Sequence, residues 1–349
     1  MSKSSPSDSP LRIFAFSALA SLAILVGVLL GVGPEALLLT LILAVVEITF
    51  SFDNAIINAK VLGQLSKPWQ TVFLTAGILV AIFGMRVVFP IVIVMVTASL
   101  PWSQVVDLAL HHPEQYAHHL EQAHTSIAAF GGAFLLMLAL TFFFDDERDV
   151  HWIARFERTL SRFAHWAVAP VVAVLCIFGV AALPSNTHAE ATLVAGLFGA
   201  ATYGLLQALN GLFARLDRGS ELTRAGGKVG MAALMSLIYL EILDASFSFD
   251  GVIGAFAITS NVLLIAAGLG IGALWVRSLT VYMVRRRMLD AYIYIEHGAH
   301  YTVLILAVML LASIVWNISD YVPGLIGVSV IGASIVASRQ ARRKDPAKA

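Results

Sequence analysis

The 349-residue chain is 59% hydrophobic and only 13% charged, with 22 basic residues balancing 22 acidic ones. Soluble domains carry about 25% charged residues, so this composition excludes an ordinary soluble fold. The zero net charge argues against a nucleic-acid or acidic partner. The single cysteine, Cys176, rules out an intrachain disulfide or a thiolate metal cluster.

A helix needs about 20 apolar residues to cross the hydrocarbon core. Runs of that kind lie near 12–33, 36–59, 69–99, 125–144, 165–183, 191–213, 229–259, 262–284, 299–316 and 322–338. They predict an all-α, polytopic membrane protein of about ten transmembrane helices, with residues 1–349 forming a single membrane domain. The first run follows Lys3 and Arg12, exceeds the length of a signal-peptide core and lacks a clear cleavage site, so it is expected to be a retained helix. The third is long enough to be tilted or broken, and Pro90 lies within it.

Basic residues sort cleanly by linker. Segments 100–124, 184–190, 260–261 and 317–321 hold no Lys or Arg. The alternate ones hold Lys60 and Lys67; Arg148, Arg155, Arg158 and Arg162; Arg215, Arg218, Arg224 and Lys228; and Arg285, Arg286 and Arg287. A basic tail at 339–349 adds Arg339, Arg342, Arg343, Lys344 and Lys348. By the positive-inside rule both termini are expected to be cytoplasmic, in a bacterial inner membrane.

Two segments echo each other: Glu47-Ile-Thr-Phe-Ser-Phe-Asp53 and Asp244-Ala-Ser-Phe-Ser-Phe-Asp250. In the first half Gly77 of an Ala-Gly pair precedes Arg86 by nine residues, and in the second Gly268 precedes Arg277 by nine. Matched landmarks in the same order indicate duplication. A weaker third pair ends near Asp145 and precedes Asp320. Repeat one is expected over about 35–145 (helices 2–4), connecting helices over 165–213, and repeat two over 229–320 (helices 7–9). The odd offset of five helices inverts one three-helix repeat against the other, as in secondary transporters whose substrate site lies at mid-membrane.

Five carboxylates fall within the expected spans: Glu47, Asp53, Glu241, Asp244 and Asp250. If ionised and unpaired, five such groups would cost on the order of 12–17 kcal/mol by simple addition. They must be protonated, hydrated, paired with Arg86 and Arg277, or neutralised by a bound cation. On a continuous helix Glu47 and Asn54 share a face, with Asp53 about 120° away. Glu241 and Asp244 are neighbours on one face. Thr49, Ser51, Asn54, Asn58 and Ser248 add neutral oxygens, and Gly251 and Gly254 permit close approach. Carboxylate and amide oxygens without cysteine suit a hard divalent cation such as Mn²⁺, Mg²⁺ or Ca²⁺. The bland alternative is that the acids pair with the two arginines and specify helix packing; a pure proton relay would use the same acids.

At these motifs the sequence resembles the TerC family of integral membrane proteins, named for tellurium resistance, and more closely a branch of it known as a domain of unknown function. The likeness rests on Glu47 to Ala55, Ala76-Gly77 with Arg86, the Phe130-Gly131-Gly132-Ala-Phe-Leu-Leu run, Glu241-Ile-Leu-Asp244 and Ser-Phe-Asp250-Gly251, over roughly 35–335. It implies manganese export, and points to Glu47, Asp53, Asn54, Asp244 and Asp250 as cation contacts. The chain departs from better-known members in Gly251, which stands where the first copy has Asn54, and in the extra acid Glu241.

The expected function is therefore a secondary transporter, an exporter, of a divalent cation, Mn²⁺ foremost, with Glu47, Asp53, Asn54, Glu241, Asp244 and Asp250 as contacts, Arg86 and Arg277 as charge partners, and no cofactor. Exporting two charges against 100 mV costs about 4.6 kcal/mol, so coupling is required, and proton antiport is the economical choice. No P-loop is present to use ATP. The alternatives are a non-transporting membrane scaffold in metal or tellurite stress, and an intramembrane aspartyl-type enzyme. Three peripheral features remain. The linker 111–124 carries His111, His112, His118, His119 and His124 with Glu114 and Glu121, which either capture metal or are simply solvated. Glu296-His297-Gly-Ala-His300 suits a pathway mouth or a helix cap. The stretch from Asp145 through Arg162 reads as an interfacial helix against anionic lipid.

Overall fold

The computed structural model describes residues 9–146, 148–217, 227–256, 258–259, 261–319 and 321–344; the side chains at 50, 214–217, 248–250, 253, 321 and 344 are not described. Lys3, Glu147, Arg218, Arg224, Asp320 and Lys348 thus lie outside the described residues, as do the side chains of Arg215, Ser248, Asp250 and Lys344.

The chain is all-helical, with no strand among the described residues. In order come α1 (Pro10–Gly31), α2 (Pro34–Phe50), α3 (Phe52–Gly63), α4 (Lys67–Leu79), a π-helical segment (Val80–Val88), α5 (Phe89–Thr97), α6 (Trp102–His111) and α7 (Pro113–Phe143). Then follow α8 (Ala154–Ser161), α9 (Val168–Ala181), α10 (Ala189–Asp217), α11 (Gly230–Phe256), α12 (Val262–Arg285), α13 (Met288–Ala291), α14 (Ile295–Ser313) and α15 (Tyr321–Lys344). Proline stands in the first turn of α1, α2 and α4, where its missing N–H costs nothing. Asn261 caps α12 by accepting from the N–H groups of Leu263 and Leu264.

Among the described residues eight helices are long and apolar enough to cross a membrane, or nine if the bent pair α2–α3 is one span. This is a membrane protein. Of the ten expected crossings, the one at 165–183 folds as the short helix α9. At 1.5 Å per residue its 14 residues reach only about 21 Å, short of a core about 30 Å thick. A second difference concerns the histidine-rich stretch: α7 begins at Pro113, so most of the expected linker is helix. His111 pairs with Asp107 at 2.8 Å and His118 lies 3.1 Å from Gln122, so these rings are strung along the helices.

Packing divides the chain into two compact units, residues 1–123 with 240–286, and 124–239 with 287–349. In the first, α12 is central and packs on α1, α2, α3 and the π-helical segment. The small residues on α12 explain the close fit. A side chain at Gly268 would meet Leu43 Cβ at 2.5 Å and the Thr40 carbonyl at 3.0 Å, and one at Gly272 would overlap the side chain of Glu47. Alpha-1 turns its leucines outward and buries Ser17 and Ser21. Ser17 bonds the Leu274 carbonyl at 2.9 Å and Ser278 at 2.6 Å, and Trp275 donates to Ser21 at 3.1 Å. Hydroxyls and small residues join helices in a bilayer, where apolar surface gains nothing by leaving lipid.

In the second unit α14 packs on α15 and α9 on α10. Glu157 of α8 is fully buried and accepts from the N–H groups of Trp152 and Ile153, each at 3.1 Å, and from the Tyr301 hydroxyl at 3.0 Å. It fastens α8 to α14. Burial pushes the nearby Arg148 guanidinium, stacked 3.7 Å over Phe142, below its ordinary value.

Gly268→Val is expected to destabilise the first unit by about 1–3 kcal/mol, as overpacking does. Gly27→Val, at a site with nothing within 4 Å, is the control. Melting of the detergent-solubilised chains checks the difference; equal midpoints would remove the close α2–α12 contact.

Candidate functional site

The first acidic motif sits on a broken helix. Alpha-2 and α3 meet at 53° around Ser51, whose φ of −93° and ψ of 15° lie in the bridge region. Its hydroxyl donates to Glu47 Oε1 at 3.3 Å. The break places Asp53 in the first turn of α3, where its carboxylate meets the N–H groups of Asp53 itself and of Asn54. An anion is favoured at that end of a helix. The facing expected of one continuous helix therefore does not hold: Glu47 ends one helix, and Asp53 and Asn54 begin another. The second motif lies on the continuous α11.

Arg86 projects from the π-helical segment and joins the two motifs. Its guanidinium pairs with Glu47 at 2.5 Å and Asp244 at 3.3 Å, and donates to the Ala81 carbonyl at 2.8 Å. Asn54 Nδ2 donates to the other oxygen of Asp244 at 2.6 Å. Glu47, Asp53, Asn54, Arg86 and Asp244 are all buried, none more than 7% exposed. One turn of π-helix inserts an extra residue into the ladder and re-aims a side chain, which is a frequent device at functional sites.

Arg277 on α12 makes a second, separate pair with Glu241 at 2.8 Å. It also donates to the Phe73 carbonyl at 3.0 Å and lies 4.2 Å over the Phe73 ring. Gly77 gives it room, because a side chain there would overlap the guanidinium and touch Glu241. The repeated glycines thus exchange roles: Gly77 receives side chains of the second half, and Gly268 receives Leu43 and Thr40 of the first.

Three acceptor oxygens in this region are buried without a hydrogen-bond partner: Asn54 Oδ1, Asn58 Oδ1 and Glu241 Oε2. Asn54 and Asn58 are four apart on α3 and so share a face. Each orphaned buried acceptor costs about 1–3 kcal/mol unless water or an ion satisfies it. Asp53 is 3% exposed, and no ion pair to it is found among the described residues. The structure thus brings Glu47, Asn54, Arg86 and Asp244 together in one network and sets Glu241 with Arg277 in another. Asp250 lies on α11 with its side chain outside the description. Among the described residues no three His, Cys, Asp or Glu side chains converge as a metal site, and this includes the histidines of 111–124. Sequence reasoning missed the carbonyls of Ala81 and Phe73 and the space at Gly272. Gly272 follows Gly268 by one helical turn, which was the available signal.

Removing Arg86 leaves Glu47 and Asp244 buried without their cation. Arg86→Met is expected to destabilise the protein by about 3–5 kcal/mol, as for other buried pairs that lose one partner. Adding Glu47→Gln and Asp244→Asn should restore much of that loss. Denaturation of the single and triple variants in detergent checks this, and additive losses would break the proposed network.

The model of the family described as "Protein of unknown function (DUF475)" matches residues 52–345, which takes in Asp53, Asn54, Arg86, Glu241, Asp244, Asp250 and Arg277. No curated protein and no solved structure matches the chain. A membrane protein with an arginine-bridged acidic network, the chain belongs to the DUF475 family.

Proposed function

We propose that the protein is a secondary transporter of a divalent cation, an exporter with Mn²⁺ as its first candidate substrate, driven by proton antiport. The observation that carries this reading is the oxygen-rich face of α3. Asn54 and Asn58 present orphaned buried oxygens on one face of α3, and Asp53, in the first turn of the same helix, carries a buried carboxylate that neither arginine pairs. Amide and carboxylate oxygens are the ligands of hard divalent ions, and a cation there would supply the partners these atoms lack. Charge supports the same reading. If all are ionised, the five acids Glu47, Asp53, Glu241, Asp244 and Asp250 exceed Arg86 and Arg277 by three negative charges. A divalent ion or two protons would offset most of that excess, and exchange of one for the other is antiport.

On this reading the two halves are inverted repeats of the kind carriers use, and the resemblance to the TerC family extends to activity. Both termini lie in the cytoplasm and the membrane is the bacterial inner membrane, as the distribution of Lys and Arg argues. The protein is a carrier and not an enzyme. A second reading has its own support. Arg86 already pairs with both Glu47 and Asp244, which suits a scaffold whose polar groups specify packing.

Proteoliposomes separate the two. The native chain is expected to take up Mn²⁺ when a proton gradient is imposed, and to slow at least tenfold when the gradient is collapsed, a barrier change of about 1.4 kcal/mol or more. Asp53→Asn should abolish uptake while leaving the melting midpoint unchanged. Undiminished uptake by the variant would remove Asp53 from the pathway, and no uptake of Mn²⁺, Ca²⁺ or Mg²⁺ by folded native protein would favour the scaffold.

A further inference from the structure

The second unit carries a surface that the transport reading does not use. Alpha-8 turns Glu157 inward, leaves Arg155, Arg158 and Arg162 exposed on one face, and leaves the apolar side chains of Ile153 (47%), Phe156 (42%) and Phe163 (62%) open on another. Beside it lies a groove of about 400 Å³ between Trp152 and one stripe of α15, formed by Leu325, Ile326, Ser329, Val330 and Ala333. Apart from Ser329 the lining is apolar. Trp152 belongs to both features: it lines the groove, stands three residues before Arg155, and is fixed by its N–H bond to Glu157 and its edge contact with Tyr301 at 5.7 Å.

Alpha-14 and α15 are joined side by side: the N–H of Tyr294, at the head of α14, donates to Ser338, and Thr302 reaches the Gly327 carbonyl. Trp152 meets Tyr301 edge-on, less than two helical turns from the start of α14. Tryptophan concentrates near the ends of membrane-spanning helices, at the interface with the headgroups. The acids of this region, Asp145, Asp146 and Asp149, lie on the linker ahead of α8, and Asp145 is 3.7 Å from Arg148.

We propose that this surface binds one anionic phospholipid, its acyl chain in the groove along α15 and its phosphate on Arg155 and Arg158. The occupant follows from charge and shape together. An apolar slot along a helix long enough to cross a membrane shares Trp152 with a segment whose exposed guanidiniums, three and six residues on, carry planar donors that match phosphate oxygens. A second copy of the chain would bring the same three arginines against its own, which charge opposes. Because Glu157 holds α8 to α14, the arginines are fixed relative to the slot, which distinguishes a site from a merely sticky surface.

Native mass spectrometry of the full chain, titrated with phosphatidylglycerol or with phosphatidylcholine of the same acyl chains, tests the proposal. One phosphatidylglycerol is expected to be retained in preference to phosphatidylcholine. Arg155→Gln and Arg158→Gln should each weaken that retention about fivefold, corresponding to about 1 kcal/mol per arginine near an anionic surface. Ala333→Trp, which fills the slot, should lower retention with both arginines intact. Equal retention of the two lipids, or charge-neutral variants that bind like the native chain, would overturn it. So would a dimer whose cross-links run through Trp152 and Ser329.

Discussion

A guanidinium shared between two carboxylates at membrane depth is the contact on which the first unit depends. Ion pairs in a low dielectric gain or lose by geometry: the attraction is large, and so is the cost of stripping water from each partner. Arg86 meets that cost by filling its donors on both sides, with Glu47, Asp244 and the Ala81 carbonyl. Everything close by accommodates it. The π-helical segment aims the arginine, the absence of a side chain at Gly272 leaves room for Glu47, and Asn54 holds the second oxygen of Asp244. Because Glu47 stands on α2 and Asp244 on α11, the same contact fastens the two acidic motifs together.

The second arginine is not a copy of the first. Arg277 takes the extra acid Glu241 and turns the rest of its donors and its flat face to Phe73. Glu241 has no counterpart in the first motif, and its pairing gives it a use: it supplies Arg277 with an anion while Asp244 serves Arg86. The asymmetry leaves Asp53 outside both arginine networks, held by backbone N–H groups at a helix end. One motif is thus broken and opens a helix terminus towards its acid, whereas the other runs through an unbroken helix.

Much of this was legible in the sequence. Apolar runs located the long helices, since a bilayer leaves few other ways to satisfy backbone polar groups. The paired glycines and arginines read as landmarks of a duplication, and in the structure they lie at helix contacts. Ion pairing with the two arginines was the alternative to a cation site, and Glu47, Asp244 and Glu241 are so paired. The break at Ser51 was not legible, because no glycine or proline stands there; the bend depends on tertiary contacts, including the Ser51 bond to Glu47. Nor was the π-helix, which differs from its α-helical neighbours by one residue in register and leaves no composition signal. Pro90 lies where the π-helical segment passes directly into α5, inside one helix that runs from Lys67 to Thr97. The short reach of α9 was hidden because its apolar run continues into residues that form turns.

The arginine also constrains how a cation could pass. Asp244 already holds one positive charge in Arg86 and one donor in Asn54, so an ion that recruits it must displace one of them or accept a share. Asn54 and Asn58 leave their amide oxygens open on one face of α3, with Asp53 in the first turn of the same helix. An ion settling on that face would draw Asn54 towards itself and loosen its hold on Asp244. Arg86 would then keep Asp244 more tightly, preserving the link between α2 and α11 while α3 responds to the ion. The break at Ser51 is, on the carrier reading, the point at which α3 would tilt against α2. On the carrier reading, the same guanidinium that stabilises the empty protein is what keeps the two motifs together while the ion-binding face changes its exposure.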